Sequence, residues 1–170
     1  MNDVGRGTGT HVLCHCGDCR AAARHLTGKV ADTADVYQTT PDRITFLQGF
    51  DRLAVLRLSP RGLNRVYATC CNTAICNLIR TRQVPFAGWH VDTLSDSEIL
   101  GPVVTEGFIQ KGEKIGHKGI LHSVGGVLSR ALSARIDGRW RQTPFFAEDG
   151  DLTMPVHLMS RDERRAAYSE

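Results

Sequence analysis

The segment Cys14-His15-Cys16-Gly17-Asp18-Cys19-Arg20 constrains this chain more than any other part of it. In an extended strand side chains alternate, so Cys14 and Cys16 leave the same face. Gly17 then lets the backbone turn and return Cys19 towards the same point. Three thiolates gathered in one volume repel one another unless a cation lies between them. The soft, tetrahedral ion that suits thiolates is Zn²⁺, so Cys14, Cys16 and Cys19 read as metal ligands. With these three alone the fourth position stays open, as catalytic zinc sites keep it. Cys71, from the second cluster Cys70-Cys71-Asn72-Thr73-Ala74-Ile75-Cys76, would close the site and make it structural.

The remaining composition agrees with a metal rather than disulfides. Met1-Asn2-Asp3-Val4-Gly5-Arg6-Gly7 lacks the apolar core of a signal peptide, which predicts a cytoplasmic, reducing location. A redox-sensing dithiol at Cys70-Cys71 is the weaker reading, because a vicinal disulfide is strained. No apolar run approaches the roughly 20 residues of a membrane span, so no membrane partner is expected. A net charge of +3 without any Lys/Arg block argues against nucleic acid. Cys76, beside Ala74 and Ile75, reads as a small core residue, and Cys70 reads the same way. Trp89 and Trp140 read as core anchors. His15, between two ligands, should point away from the metal, while His11 is a lesser candidate ligand.

A chain of 170 residues suits a single domain. Residues 1–10 read as a flexible terminus, 11–160 as one zinc-binding β domain, and 161–170 as a charged, solvated helical end. Short strands are expected at 11–14, 35–39, 43–47, 53–58 and 63–68, separated by turns, which predicts an antiparallel β architecture. Residues 20–26 suit a helical turn or two, stopped by Gly28. Residues 108–119 read as a loop. A helix follows to about Ile136, with Leu121, Val124, Val127, Leu128, Ala131 and Leu132 at helical spacing; two central glycines leave it to be held by packing.

The run Val12-Leu13-Cys14-His15-Cys16-Gly17-Asp18-Cys19-Arg20 resembles the signature of the glutathione-dependent formaldehyde-activating enzymes, also called the centromere protein V-type zinc domain. Ala68-Thr69-Cys70-Cys71-Asn72-Thr73 stands where that family carries a C-x-x-C-G-T segment. The resemblance spans about residues 11–90 and implies a coiled, mainly β zinc fold, here with a C-terminal helix. It also implies a catalytic zinc on Cys14, Cys16 and Cys19, and carbon–sulfur lyase chemistry on the adduct of formaldehyde with a small thiol such as glutathione. Arg20 and Arg24 would suit such an anionic thiol. The family's second metal cannot be rebuilt, since no cysteine precedes Cys14 and Ala68 replaces one ligand. That loss favours an alternative, a non-catalytic structural zinc module that mediates protein interaction.

Overall fold

The computed structural model describes residues 8–94 and 97–169. Its framework is a nine-stranded mixed sheet in the order β8-β7-β1-β2-β6-β5-β4-β3-β9, with three α-helices among the described residues. The strands are β1 (Thr10–Cys14), β2 (Ala34–Thr39), β3 (Leu53–Arg57), β4 (Asn64–Ala68), β5 (Thr73–Leu78), β6 (Ala87–His90), β7 (Thr105–Lys111), β8 (Lys114–Lys118) and β9 (Val156–Leu158). The helices are α1 (Gly17–Thr27), α2 (Ile120–Ile136) and α3 (Arg161–Tyr168). The fold is therefore mainly β, with a helix at its C-terminal end.

Neighbours in the sheet are antiparallel except at two places. β1 runs parallel to β7, and β3 runs parallel to β9. Both pairs join strands distant in sequence, which is why a reading based on local hairpins gave a purely antiparallel sheet. The two edges are β8 and β9. One carries Lys114 and Lys118 and the other has three residues, features that discourage edge-to-edge association.

Alternation along the central strands builds a core on each face of the sheet. Leu53, Val55, Val66, Cys76, Leu78 and Ala87 face Phe145, Phe146 and Met154. Leu56 and Leu58 leave the opposite face and meet Ala21, Ala22 and Leu26 of α1, Met159, and Ala167 of α3. Each fully buried side chain of leucine size contributes about 1.5–3 kcal/mol. The covering helix α1 ends where the sequence predicts, at Gly28, in the left-handed conformation and with its N–H donated to Arg24 O.

Two sequence expectations are corrected and a third is qualified. Residues 43–47 form no strand; Ile44 and Phe46 instead turn inward and lie on the aromatic side of the core beside Phe50, Trp89 and Phe145. Residues 105–118, read mostly as a loop, form the hairpin β7–β8. The C-terminal segment is the largely exposed helix expected, but it also docks onto the body, for Ala167 is buried and Tyr168 reaches α1. Of the proposed flexible terminus, residues 1–7 lie outside the described residues, while Thr10 begins β1 and Thr8 O accepts from the Thr39 hydroxyl.

Helix α2 has the bounds that its periodicity indicates, but the face is reversed. Leu121, Leu128 and Ile136 are 85%, 64% and 79% exposed. What the helix turns inward is small or polar: Ser123 donates to Gln38, and Arg130 donates to Thr10. Its entry needs Gly119, whose φ is +63° and whose position leaves no room for a Cβ beside Val104 O.

Candidate metal centre

β1 ends at Cys14, so the second cysteine does not sit in the strand as the alternation argument supposed. Cys16 is the N-cap of α1, with extended backbone, and its sulfur accepts the N–H of Cys19 at 3.3 Å. This is the capping geometry in which serine or threonine usually serves, with sulfur in place of oxygen. Because Cys19 occupies the first turn, the cap carries its thiol back to the strand end. Cys19 Sγ stands 3.7 Å from Cys14 Sγ. All three sulfurs lie within 4.8 Å of one another, and the group is able to hold a metal ion. The three side chains are half-buried and no cysteine among the described residues is bridged.

The ionisation of the cluster is shared unequally. Hydrogen bonds from the Cys14 and Cys19 thiols hold the Cys16 thiol far below its usual range, and the Arg65 guanidinium adds to this. Cys14 and Cys19 are pushed up, chiefly by those same bonds to the neighbouring sulfurs and also by burial. Cys16 is thus the readiest of the three to give up its proton, while the other two hold theirs more tightly. A cation replaces those protons, which fits the donor chemistry of a thiolate metal site.

Arg65 was not singled out in the sequence, where it is one residue of a strand. In β4 it is only 3% exposed, and its Nε and Nη1 find no hydrogen-bond acceptor among the described residues. Its Nη2 lies 3.6 Å from Asp18 Oδ2, and the Tyr168 hydroxyl donates to the other oxygen of that carboxylate. A buried guanidinium with free donors is costly unless negative charge lies nearby. Here that charge comes from Asp18 and from the sulfur cluster. A deeply buried arginine has no signal in one sequence.

The other predicted residues are placed as follows. Cys71 lies outside the sulfur group, exposed in the turn between β4 and β5, with Thr73 Oγ1 at 3.1 Å and Cys70 Sγ at 3.7 Å. Asn72, with φ of 55°, makes that turn and sets the cysteine pair at its tip. Cys70 is thus exposed rather than buried, whereas Cys76 is fully buried in the core. Arg20 is exposed and Arg24 half-buried on α1; the cation acting on Cys16 is Arg65.

His15 Nε2 is 3.7 Å from Glu106, away from the sulfurs as expected. His11 is occupied elsewhere, by Asp35 at 2.6 Å and Gly101 O at 2.7 Å. Trp89 lies against the core, but Trp140 is flanked by the guanidinium groups of Arg82, Arg135 and Arg141.

Fold and site together define a mainly β protein with a three-cysteine group, able to hold a metal ion, at a strand-to-helix junction. The chain belongs to a family of unknown function (DUF6151), which matches residues 2–114, a span that contains the sulfur group and Arg65. No curated protein and no solved structure matches the chain. No helix among the described residues is long and apolar enough to cross a membrane.

Proposed function

We propose that Cys14, Cys16 and Cys19 bind one zinc ion with its fourth position open, and that the centre acts on small thiols and their carbonyl adducts as a carbon–sulfur lyase. The observation that carries this reading is the convergence of three sulfurs while Cys71 stays outside their group. A tetrahedron with zinc–sulfur bonds of about 2.3 Å has edges of about 3.8 Å. The Cys14–Cys19 separation of 3.7 Å matches such an edge. Three thiolates around a dication leave one net negative charge, and buried Arg65 supplies its counterpart.

A zinc ion in this position would supply a Lewis-acidic site at which an incoming thiol ionises at neutral pH. The chain's own residues do the rest. Cys16, already the most acidic of the three, anchors the ion at the helix start. Arg161, Arg164, Arg165 and Tyr168 line a shallow surface depression. Tyr168 bonds Asp18 and its ring lies where a Cβ at Gly17 would meet it, so this cationic surface adjoins the first turn of α1. It suits the carboxylates of an anionic thiol such as glutathione, a role the sequence assigned to Arg20 and Arg24. In the adduct-forming direction the thiol sulfur bonds the carbonyl carbon of formaldehyde, the π pair moves to oxygen, and the thiol proton ends there. The lyase direction reverses each step.

The test is exchange spectroscopy by NMR on formaldehyde, glutathione and their adduct with zinc-loaded protein. Faster exchange than the spontaneous reaction, lost in Cys16→Ser, supports the enzyme. A spontaneous rate in the presence of tightly held zinc ends that reading. It leaves the second one, a non-catalytic zinc module, which is favoured by the way the sulfurs tie the end of β1 to the start of α1.

A further inference from the structure

A second group of metal-ligating side chains stands apart from the sulfurs. His25 lies in the last turn of α1, His157 in β9 and Glu163 in the first turn of α3. One donor atom from each falls within 4.8 Å of the other two. His157 Nε2 is 3.0 Å from Glu163 Oε1. The two imidazoles stack nearly parallel, with an interplanar angle of 8° and centroids 5.9 Å apart.

Packing and capping that have nothing to do with a ligand bring these residues together. Leu26 next to His25, Met159 just after β9 and Ala167 of α3 share one buried cluster. The Glu163 carboxylate is aimed by the capping box of α3, because its Oε2 accepts the Ser160 N–H at 2.7 Å. That leaves Oε1 turned to the histidines. Two imidazoles and one carboxylate suit a late first-row divalent ion and not calcium or magnesium, which prefer oxygen alone. His157 and Glu163 side chains are 46% and 37% exposed, so an ion can enter from solvent and keep water at its remaining position.

We infer that His25, His157 and Glu163 form a second site for a divalent ion of the zinc class, which fastens α3 and β9 to the end of α1. Two of its three ligands lie beyond the residues 2–114 matched by the family. Its filling also steadies the other end of α3, where Tyr168 meets Asp18.

The experiment is a titration of metal-free, full-length protein with zinc sulfate, followed by the histidine ring resonances in NMR and by calorimetry. Saturable shifts of the His25 and His157 rings are expected. His25→Ala should weaken this event at least about tenfold, since even loss of a residue behind a ligand costs 10–100-fold. Glu163→Gln, which preserves the helix cap, should weaken it likewise, and both variants should match the wild-type circular dichroism. Cys16→Ser should leave these ring shifts in place, which separates this site from the sulfur centre. Rings that stay unmoved in excess zinc overturn the inference. So does unchanged affinity for this event in folded His25→Ala or Glu163→Gln.

Discussion

Arg65 Nη2 in β4 stands 3.6 Å from Asp18 Oδ2 in the first turn of α1. This contact brings a buried positive charge to the helix that carries Cys16 and Cys19. Replacing Arg65 with methionine keeps volume but removes the charge that favours the Cys16 thiolate. Affinity of the sulfur group for zinc is expected to fall about 10–100-fold. Competition against a chromophoric chelator measures it, and an unchanged affinity would show that Arg65 only fills space.

Cysteine substitutions should separate the six thiols by role. Cys16→Ser keeps an acceptor at the N-cap, so the helix should start normally while zinc content of the purified protein falls to near background. Cys71→Ser should retain the metal, because that thiol lies outside the group. Elemental analysis after dialysis checks both. Loss of zinc in Cys71→Ser would mean that the turn between β4 and β5 closes over the centre.

Cys76 offers a contrast within the same strand region. It is 0% exposed, and burial pushes its thiol up. A serine hydroxyl there would lack a partner, so Cys76→Ser should cost about 1–3 kcal/mol in denaturant unfolding. Zinc content should not change. In alkylation of the native protein, Cys71 should react first, since hydrogen bonds with Thr73 lower its pKa at an exposed position. Cys76 should react only on unfolding.

Folding is expected to depend on pH through His90. Burial lowers its pKa, despite an opposing pull from Asp92, and Asn77 Nδ2 lies 3.4 Å from its Nε2. A histidine whose folded pKa is depressed contributes stability above its unfolded value of about 6.5 and loses it as pH falls below that. Urea midpoints taken from about pH 7.5 down to about pH 5 should therefore drop more steeply in the wild type than in His90→Gln. Parallel slopes would contradict this.

Local chemistry settled much of what the sequence reveals. The C-x-C-x-x-C run marked a group able to hold a metal ion, the apolar stretches at residues 53–58 and 63–68 marked central strands, and periodicity together with Asp137 bounded α2. The same periodicity failed to say which way α2 faces, because a helical stripe of leucines has the same pattern whether it meets a core or solvent. Ile44 and Phe46 alternate as a strand would, but their backbone has no neighbouring ladder and their rings close the core instead.

The sequence by itself indicated that three sulfurs converge, because three cysteines within six residues cannot lie far apart, although they meet through a strand end, a cap and one helical turn rather than by strand alternation. Tertiary structure alone decided what surrounds them. Arg65 from β4, Tyr168 from α3 and the pairing of β1 with β7 come from distant parts of the chain, as do His25, His157 and Glu163. Long-range packing sets those positions, and no local spacing encodes it.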